Sequence, residues 1–367
     1  MKVLIFIGVW LTAAEGFGQA FRPSSLPLAP AATLGYFLPA RDSIVSDTLY
    51  EWVSGEGYPL AFFRKIRTSV CFDNQCRLLR CAVYWNPTGR FLGLSFPPGE
   101  YLSKAEHKPF TPEEYERLLA LLADPSLPLK DYTYDELVPR RHTSGSNDAD
   151  GVTSATAKNV LEYVVEGAAF TTYKLWHVVY GSTQSDIDSL VRPKSTAAFL
   201  LRVLDSPDVT DRLWALNQVH SPVPAELWQR LTGIAAGSDY TLAETAVQRL
   251  PAADLATRQG DLLGVVEKAL PSVRKQLFTK LKEAKPFTLG APLATRLLSV
   301  PVDEAAAILD LLTYHRIDDP AALRAVSQVL GAPNAFLARK AAACLTAAPR
   351  LEADVQQRLA RYRSSHR

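Results

Sequence analysis

Asp150-Gly151-Val152-Thr153-Ser154-Ala155-Thr156 separates a polar stretch of the chain from an apolar one. The polar stretch, residues 140–150, is rich in Ser, Asn, Asp and Gly and lacks apolar periodicity, which predicts an exposed loop. From Val160 to Ala168, apolar residues recur at three- and four-residue spacing, which predicts an amphipathic helix that ends near Gly167. Thr153 then falls at the predicted N-cap of that helix.

A helix that begins at Thr153 has two interpretations. The first backbone N–H groups of a helix lack partners and the helix dipole adds partial positive charge, so an anion is stabilised there. The small side chains of residues 153–156 leave room for such an anion. A Thr/Ser cluster before a helix is more often an ordinary cap. The spacing alone therefore allows both a cap and a phosphate site.

The same residues resemble the flavinylation motif Asp-x-x-Ser/Thr-Gly-Ala-Thr of the FMN-binding domain family. That family includes the flavoprotein subunits of sodium-pumping NADH:quinone oxidoreductases and Rnf-type complexes. Its final Thr carries FMN through a phosphodiester bond, which a magnesium-dependent flavin transferase installs from FAD. The resemblance implies that Thr156 is the attachment residue and that Asp150, Thr153 and Ala155 are the other motif positions. Ser154 stands where the family usually has Gly.

Composition and charge indicate the general class of this protein. The chain has 367 residues, of which 47% are hydrophobic, so it is globular and long enough for two domains. Its formal net charge of +2 gives no indication of nucleic-acid binding.

The first residues have the pattern of a secretory signal peptide. Lys2 precedes an apolar run over residues 3–14, and small residues at Gly18-Gln19-Ala20 offer a cleavage site. We therefore expect residues 1–20 to be a leader and residues 21–34 to be a Pro-rich linker. The remaining chain has no apolar run of membrane-spanning length, which predicts a secreted, periplasmic protein without a transmembrane helix.

Residues 35–188 alternate β-like and helical patterns. Two strands, residues 66–72 and 75–85, flank the turn Asp73-Asn74, and a third strand follows over residues 90–96. Thr111 caps a predicted helix whose buried face carries Leu118, Leu119, Leu121 and Leu122. This mixture predicts an α+β domain.

The hairpin register places two cysteines opposite each other. Cys71 faces Cys76, within disulfide reach, whereas Cys81 points to the other face of the sheet as a buried thiol. The alternatives are that all three are free thiols, or that the Cys-x4-Cys-x4-Cys spacing holds a metal. Alternation divides the three side chains between two faces, which favours the disulfide.

Residues 169–180 are strongly aromatic and β-branched and fit either a helix or a core strand. If FMN were attached at Thr156, the rings of Phe170, Tyr173 and Trp176 could pack against the flavin. The alternative is that these three residues are ordinary core aromatics. Lys174 could place positive charge near a reduced flavin, or lie in solvent.

From residue 189 to residue 367 the chain is a succession of short amphipathic segments separated by Pro, Gly or Asp. The clearest segments are residues 195–204, 209–219, 225–236, 242–250, 273–284, 303–314, 321–330 and 335–345. Helix pairs that recur about every 30 to 40 residues are typical of an α-solenoid. Residues 335–345 also resemble the second half of a HEAT repeat. A globular α-helical domain is the alternative.

These segments predict an α+β N-terminal FMN-binding-like domain, residues 35–188, followed by an all-α HEAT-like solenoid, residues 189–367. Haem, nucleophile-elbow, phosphate-loop and metal motifs are absent from the sequence, so we assign no catalytic residue and no metal site. One hypothesis is an exported electron carrier with covalent FMN, modified by a flavin transferase and docking a redox protein through its helical repeats. The other is a cofactor-free scaffold with a degenerate FMN-binding fold.

Overall fold

The computed structural model describes residues 5–6, 19–21, 30–38, 48–69, 78–104, 108–133 and 161–365. The motif Asp150–Thr156 and the predicted disulfide between Cys71 and Cys76 lie outside these ranges. The chain divides into two compact units, Met1–Lys194 and Ser195–Arg367. The first contains an antiparallel sheet with helices, and the second is mostly helical. The sequence alone predicts the boundary between the two domains at residues 188 and 189.

The N-terminal unit is built on one antiparallel sheet. In chain order its strands are β1 (Ile5–Phe6), β2 (Gln19–Phe21), β3 (Ala32–Phe37), β4 (Thr48–Val53), β5 (Pro59–Thr68), β6 (Leu79–Trp85) and β7 (Phe91–Phe96). Their order across the sheet is β1-β3-β4-β5-β6-β7-β2. Strands β3 to β7 therefore form a simple meander, in which each strand pairs with the next one in sequence.

The predicted hairpin between β5 and β6 has the register that its turn implies. Ile66 pairs with Cys81 and Thr68 pairs with Leu79, as they would if the turn were at Asp73-Asn74. Strand β5 begins earlier than predicted, at Pro59. The prediction that Cys81 is a buried free thiol is confirmed, and burial raises its pKa.

Two short strands at the edges come from the region where the sequence predicts a leader. Ile5 pairs with Tyr36 at one edge, and Gln19 pairs with Phe96 at the other. Cleavage after Ala20 would remove β1 and all but Phe21 of β2. The leader itself stays a prediction. Among the described residues, no helix is long and apolar enough to cross a membrane.

Among the described residues of the N-terminal unit, three α-helices accompany the sheet: α1 (Pro112–Leu122), α2 (Ala169–Val179) and α3 (Ser182–Val191). The predicted cap of α1 is confirmed, because Thr111 and Glu114 form a reciprocal capping box. Residues 169–180, which the sequence left as strand or helix, are helical over α2.

The helix predicted between Val160 and Ala168 is wrong for the described residues 161–168. A single 3₁₀ turn spans Leu161–Tyr163, and Gly167 has a φ of +73°. The backbone N–H of Val165 donates to Thr172 Oγ1 at 3.1 Å rather than to a preceding turn. Val164 and Val165 are buried all the same, so their apolar spacing reflects packing against the domain and not helical periodicity.

Two buried polar side chains tie the sheet to α2 and α3. Trp85 on β6 is fully buried, and its indole Nε1 donates to the Val179 carbonyl at 3.0 Å. Arg64 on β5 is 1% exposed and donates from Nη1 to Thr183 Oγ1 at 3.1 Å. These hydrogen bonds satisfy polar groups inside a core that would otherwise penalise them.

The end of the N-terminal unit is fastened to β4 by a buried ionic cluster. Glu51 is 0% exposed, and Lys194 Nζ donates to both of its carboxylate oxygens at 2.6 and 2.7 Å. The Tyr36 hydroxyl also donates to Glu51, and burial followed by this hydrogen bond raises the pKa of Tyr36. Such a carboxylate is stable in the core only because its partners are in place.

The C-terminal unit consists of short helices connected by tight turns. They are α4 (Ala197–Leu204), α5 (Val209–Asn217), α6 (Ala225–Ala235), α7 (Tyr240–Gln248), α8 (Ala252–Arg258), α9 (Leu262–Lys268), α10 (Pro271–Lys280), α11 (Gly290–Ala294), α12 (Val302–Tyr314), α13 (Pro320–Gln328), α14 (Ala335–Ala347) and α15 (Ala353–Ser365). Each of the segments that the sequence predicts here overlaps one of these helices, with ends that differ by a few residues.

The helices of this unit form two rows around one continuous apolar core. In one row α5, α7, α10, α12 and α14 contact each other in succession. In the other, α4 contacts α6, α6 contacts α9, α11 contacts α13, and α13 contacts α15. Ion pairs join neighbours in the first row, such as Arg274 with Glu304 at 2.9 Å and Lys340 with Asp310. Cys344 is buried in this core as a free thiol.

Candidate functional site

The site that the sequence predicts is only partly within the described residues. Asp150, Thr153, Ser154, Ala155 and Thr156 lie outside them, whereas the three predicted ring-packing residues all lie on α2. Those three are Phe170, Tyr173 and Trp176. Within the described part of the chain, no group of His, Cys, Asp or Glu side chains could hold a metal ion.

Helices α1 and α2 hold the backbone on both sides of residues 134–160, the segment that carries the motif. Before the segment, the Tyr173 hydroxyl on α2 donates to the Tyr132 carbonyl at 3.2 Å. After it, the Arg117 guanidinium on α1 donates to the Glu162 carbonyl. Because α1 and α2 contact each other, Tyr132 and Glu162, the described residues on the two sides of the segment, are both held by this pair of helices.

The aromatic residues of α2 also fix the loop that follows α1. Trp176 donates from Nε1 to the Asp124 carbonyl at 3.1 Å, and the Tyr180 hydroxyl donates to the Leu122 carbonyl at 2.9 Å. The rings of Trp176 and Tyr180 lie 4.7 Å apart. Trp176 is 3% exposed, so its ring is buried in protein and supports the loop.

Phe170 and Tyr173 differ from Trp176 in their exposure. Both are half-buried, so each keeps part of its ring at the surface of α2. They lie about one helical turn apart, with Lys174 next to Tyr173, and all three side chains are within one stretch of the helix surface. This stretch is the described surface that a planar ring close to the motif could use.

His177 is a site residue that the sequence reasoning missed. Its ring lies 4.3 Å from the Tyr173 ring and 5.3 Å from the Trp176 ring, between the two predicted aromatics. Its Nε2 is buried and has no hydrogen-bond partner among the residues that the structure describes. The signal in the sequence was its position four residues after Tyr173, which places both on one helix face.

We predict that the stability of the N-terminal unit depends on pH because His177 is buried. Burial lowers the pKa of His177 below its usual value of 6.5, and Lys174 adds to this, against an opposing backbone hydrogen bond at Leu129. The unfolded chain then binds more protons as the pH falls through 6.5, so stability is complete above that pH and decreases below it. Urea unfolding between about pH 7.5 and about pH 5 should show this loss, and His177→Gln should reduce it.

His220→Gln is the matched control for this prediction. His220 is exposed and makes one local contact, from Nδ1 to the Gln218 carbonyl at 3.0 Å. The His220 variant should keep the full wild-type dependence on pH. An equal dependence in the His177 variant and in wild type would show that His177 is not the responsible group.

A second aromatic cluster lies on the sheet and was not found from the sequence. Across three strands, the Tyr50 and Phe63 rings stack at 4.8 Å and the Phe63 and Tyr84 rings at 5.5 Å. Trp52 lies 5.5 Å from Phe63, and Lys65 Nζ lies 5.8 Å from the Tyr50 ring. Rings that stack side by side on neighbouring strands present their edges outward, so this cluster is a packed ridge and not a flat platform.

Comparison with known proteins adds no family assignment. No protein-family profile matches the chain, and a search of curated proteins finds no significant relative. The resemblance to the FMN-binding domain family therefore depends on residues 150–156 alone.

Proposed function

We propose that the chain is an exported electron-transfer flavoprotein in which FMN is attached through its phosphate to Thr156. The observation that carries this proposal is the motif Asp150-x-x-Thr153-Ser154-Ala155-Thr156. In the attachment step, Thr156 Oγ forms a bond to the FMN phosphorus of FAD, AMP leaves, and the hydroxyl proton is lost. A flavin transferase that uses magnesium catalyses this step.

The described surroundings fit a ring held beside α2. Leu161 is five positions after Thr156, and an extended chain over five positions spans at most about 18 Å. A group attached to Thr156 is thus confined to the neighbourhood of the α1 and α2 anchors. Phe170 and Tyr173 are half-buried on α2, and Trp176 on the same helix is buried. When bound, FMN supplies one- and two-electron transfer.

We also propose that the C-terminal unit is a HEAT-like solenoid that docks the redox partner. The support is its two rows of helices: the first row, α5, α7, α10, α12 and α14, makes successive contacts, and most helices of the second row contact the next helix of that row. Stacked helix pairs form extended surfaces for other proteins without a deep catalytic cleft. A partner that accepts or donates electrons, in solution or at a membrane, would bind on this surface.

A test of flavin attachment uses the wild-type chain expressed in a bacterial periplasm with and without a flavin transferase. We expect flavin absorbance to survive acid precipitation only when the transferase is present. Trypsin releases the motif in one peptide, His142–Lys158, because Arg141 precedes it and Lys158 ends it. Fragmentation of that peptide should place an FMN adduct on Thr156 and not on Thr153 or Ser154.

The alternative function is a cofactor-free scaffold, and Ser154 in place of Gly is the observation that favours it. A backbone that needs positive φ accommodates Gly but strains Ser. If wild type gains no flavin while Ser154→Gly does, the domain keeps the attachment fold without using it. If neither chain gains flavin, the flavoprotein proposal is wrong.

A further inference from the structure

The C-terminal unit contains a cavity of about 700 Å³ between two loops. Its lining consists of residues 285–288, Gly290 and residues 314–319. This volume is in the range of small-molecule binding sites, which are about 300 to 1,000 Å³. The cavity is far in sequence from the flavinylation motif and has no part in the function proposed above.

The first loop is held in shape by one buried side chain. Gln259 is 2% exposed, and its amide group donates from Nε2 to the Pro286 carbonyl at 2.6 Å. Its Oε1 accepts from the Thr288 backbone N–H at 2.8 Å. The two hydrogen bonds fix the backbone on both sides of Phe287, so the loop needs little ordering when a ligand binds.

The second loop is the turn that follows α12. Arg316 has a φ of +47°, the left-handed conformation that commonly ends a helix. Ile317 then turns inward and is 7% exposed. Its Cγ2 lies beside Gly290, 3.5 Å from where a Cβ of that residue would be, so the two loops are in contact there.

Aromatic rings from the two loops meet in the lining. Phe287 and His315 stack in parallel with centroids 4.2 Å apart and planes 5° apart. Tyr314 meets His315 edge to face at 5.2 Å, and 54% of Tyr314 is exposed. His315 Nε2 lies 3.0 Å from the Leu281 carbonyl, so Nε2 carries the proton in the neutral ring and Nδ1 is an acceptor.

The charges around these rings are mainly positive. Lys285 and Arg316 belong to the lining, and Lys282 Nζ lies 5.5 Å from the Tyr314 ring. Two carboxylates, Asp318 and Asp319, also line the cavity. Asp319 is engaged as the N-cap of α13, accepting from the backbone N–H groups of Ala321 and Ala322 at 2.7 and 3.0 Å. Counting Lys282, three cations therefore lie around these rings with two carboxylates, one of which is held by its hydrogen bonds at the start of α13.

We infer that this cavity binds a small planar aromatic ring that carries a phosphate or carboxylate. The ring packs against Tyr314 and the Phe287–His315 pair, and the anionic group lies between Lys285 and Arg316. Both halves of the ligand contribute to binding. Its ring makes flat apolar contact with the aromatic side chains of the cavity, and its anionic group accepts charge-assisted hydrogen bonds from the cations.

Titration calorimetry of the full chain with AMP, adenosine and inorganic phosphate tests this inference. AMP has both halves of the ligand, adenosine only the ring and phosphate only the charge. We expect AMP to bind with a Kd below about 1 mM and at least about tenfold more tightly than either fragment. The double variant Lys285→Gln/Arg316→Gln should weaken AMP by about tenfold or more without affecting adenosine, and Tyr314→Ala should weaken both.

Lys275→Gln is the matched control, because Lys275 is an exposed basic residue of α10 outside the lining. It should bind AMP as wild type does, and circular dichroism should show that all variants keep wild-type helicity. The inference is overturned if wild type does not bind AMP in this range, or if phosphate binds as tightly as AMP. It is also overturned if the double variant and wild type bind AMP equally.

Discussion

Replacing Thr156 by Val is expected to eliminate covalent flavin from the protein. The phosphodiester needs the Thr156 Oγ, and Val keeps the β-branched shape while removing that oxygen. The expected change is from measurable occupancy to none, because no other atom of residue 156 can form the bond. Acid-precipitated protein, purified after expression with the transferase, should show no flavin absorbance and no adduct on the peptide His142–Lys158.

Two further variants make this result specific. Thr143→Val removes a hydroxyl from the same tryptic peptide but outside the motif, and it should leave flavin occupancy unchanged. Thr156→Ser keeps a hydroxyl and should retain part of the occupancy. If covalent flavin persists in Thr156→Val, the flavin is attached to another residue. Thr153 and Ser154 would then be the first residues to examine by fragmentation.

The features that the sequence predicted correctly depend on contacts between residues close in the chain. The register of β5 and β6 follows from one turn, since alternation on both sides then fixes every later pair, including Ile66 with Cys81. The start of α1 follows from Thr111 and Glu114, three residues apart. Local patterns of this kind need no knowledge of the rest of the fold.

The helix predicted from Thr153 to near Gly167 shows, at its described residues from 161 onward, where local patterns mislead. Val164 and Val165 are buried and would fit the apolar face of a helix. However, Gly167 adopts a left-handed conformation, and the N–H of Val165 donates to the Thr172 side chain. That hydrogen bond depends on how α2 lies, which spacing alone does not contain.

Helix α15 lies in the region predicted to be helical but is not among its clearest predicted segments. Among its thirteen residues only Val355 and Leu359 are buried, so its periodicity is too sparse to stand out from a polar segment. Tertiary sites were missed because their residues are distant in sequence. Phe287 and His315 stack in parallel although 28 positions separate them, and no pattern within one segment predicts that pairing.

Replacing Trp85 by Ala is expected to cause the largest loss of stability in the N-terminal unit. Trp85 is fully buried, and its indole joins β6 to the end of α2 through the Val179 carbonyl. Truncation removes the ring contacts, leaves a cavity and leaves that carbonyl without its donor, which together cost about 3–5 kcal/mol. Urea unfolding followed by circular dichroism should show a lower midpoint for the transition of this unit.

Trp85→Phe separates the two contributions, because it keeps most of the ring and removes only the indole N–H. It should cost about 1–3 kcal/mol, the usual penalty for a buried acceptor that loses its partner. Trp52→Phe is the control, since Trp52 is half-buried in the aromatic ridge on the same sheet and should cost less. If Trp85→Phe were as stable as wild type while Trp85→Ala lost several kcal/mol, packing alone would hold β6 against α2. The motif segment, which begins and ends at α1 and α2, would then depend on this packed core for its position and not on the hydrogen bond.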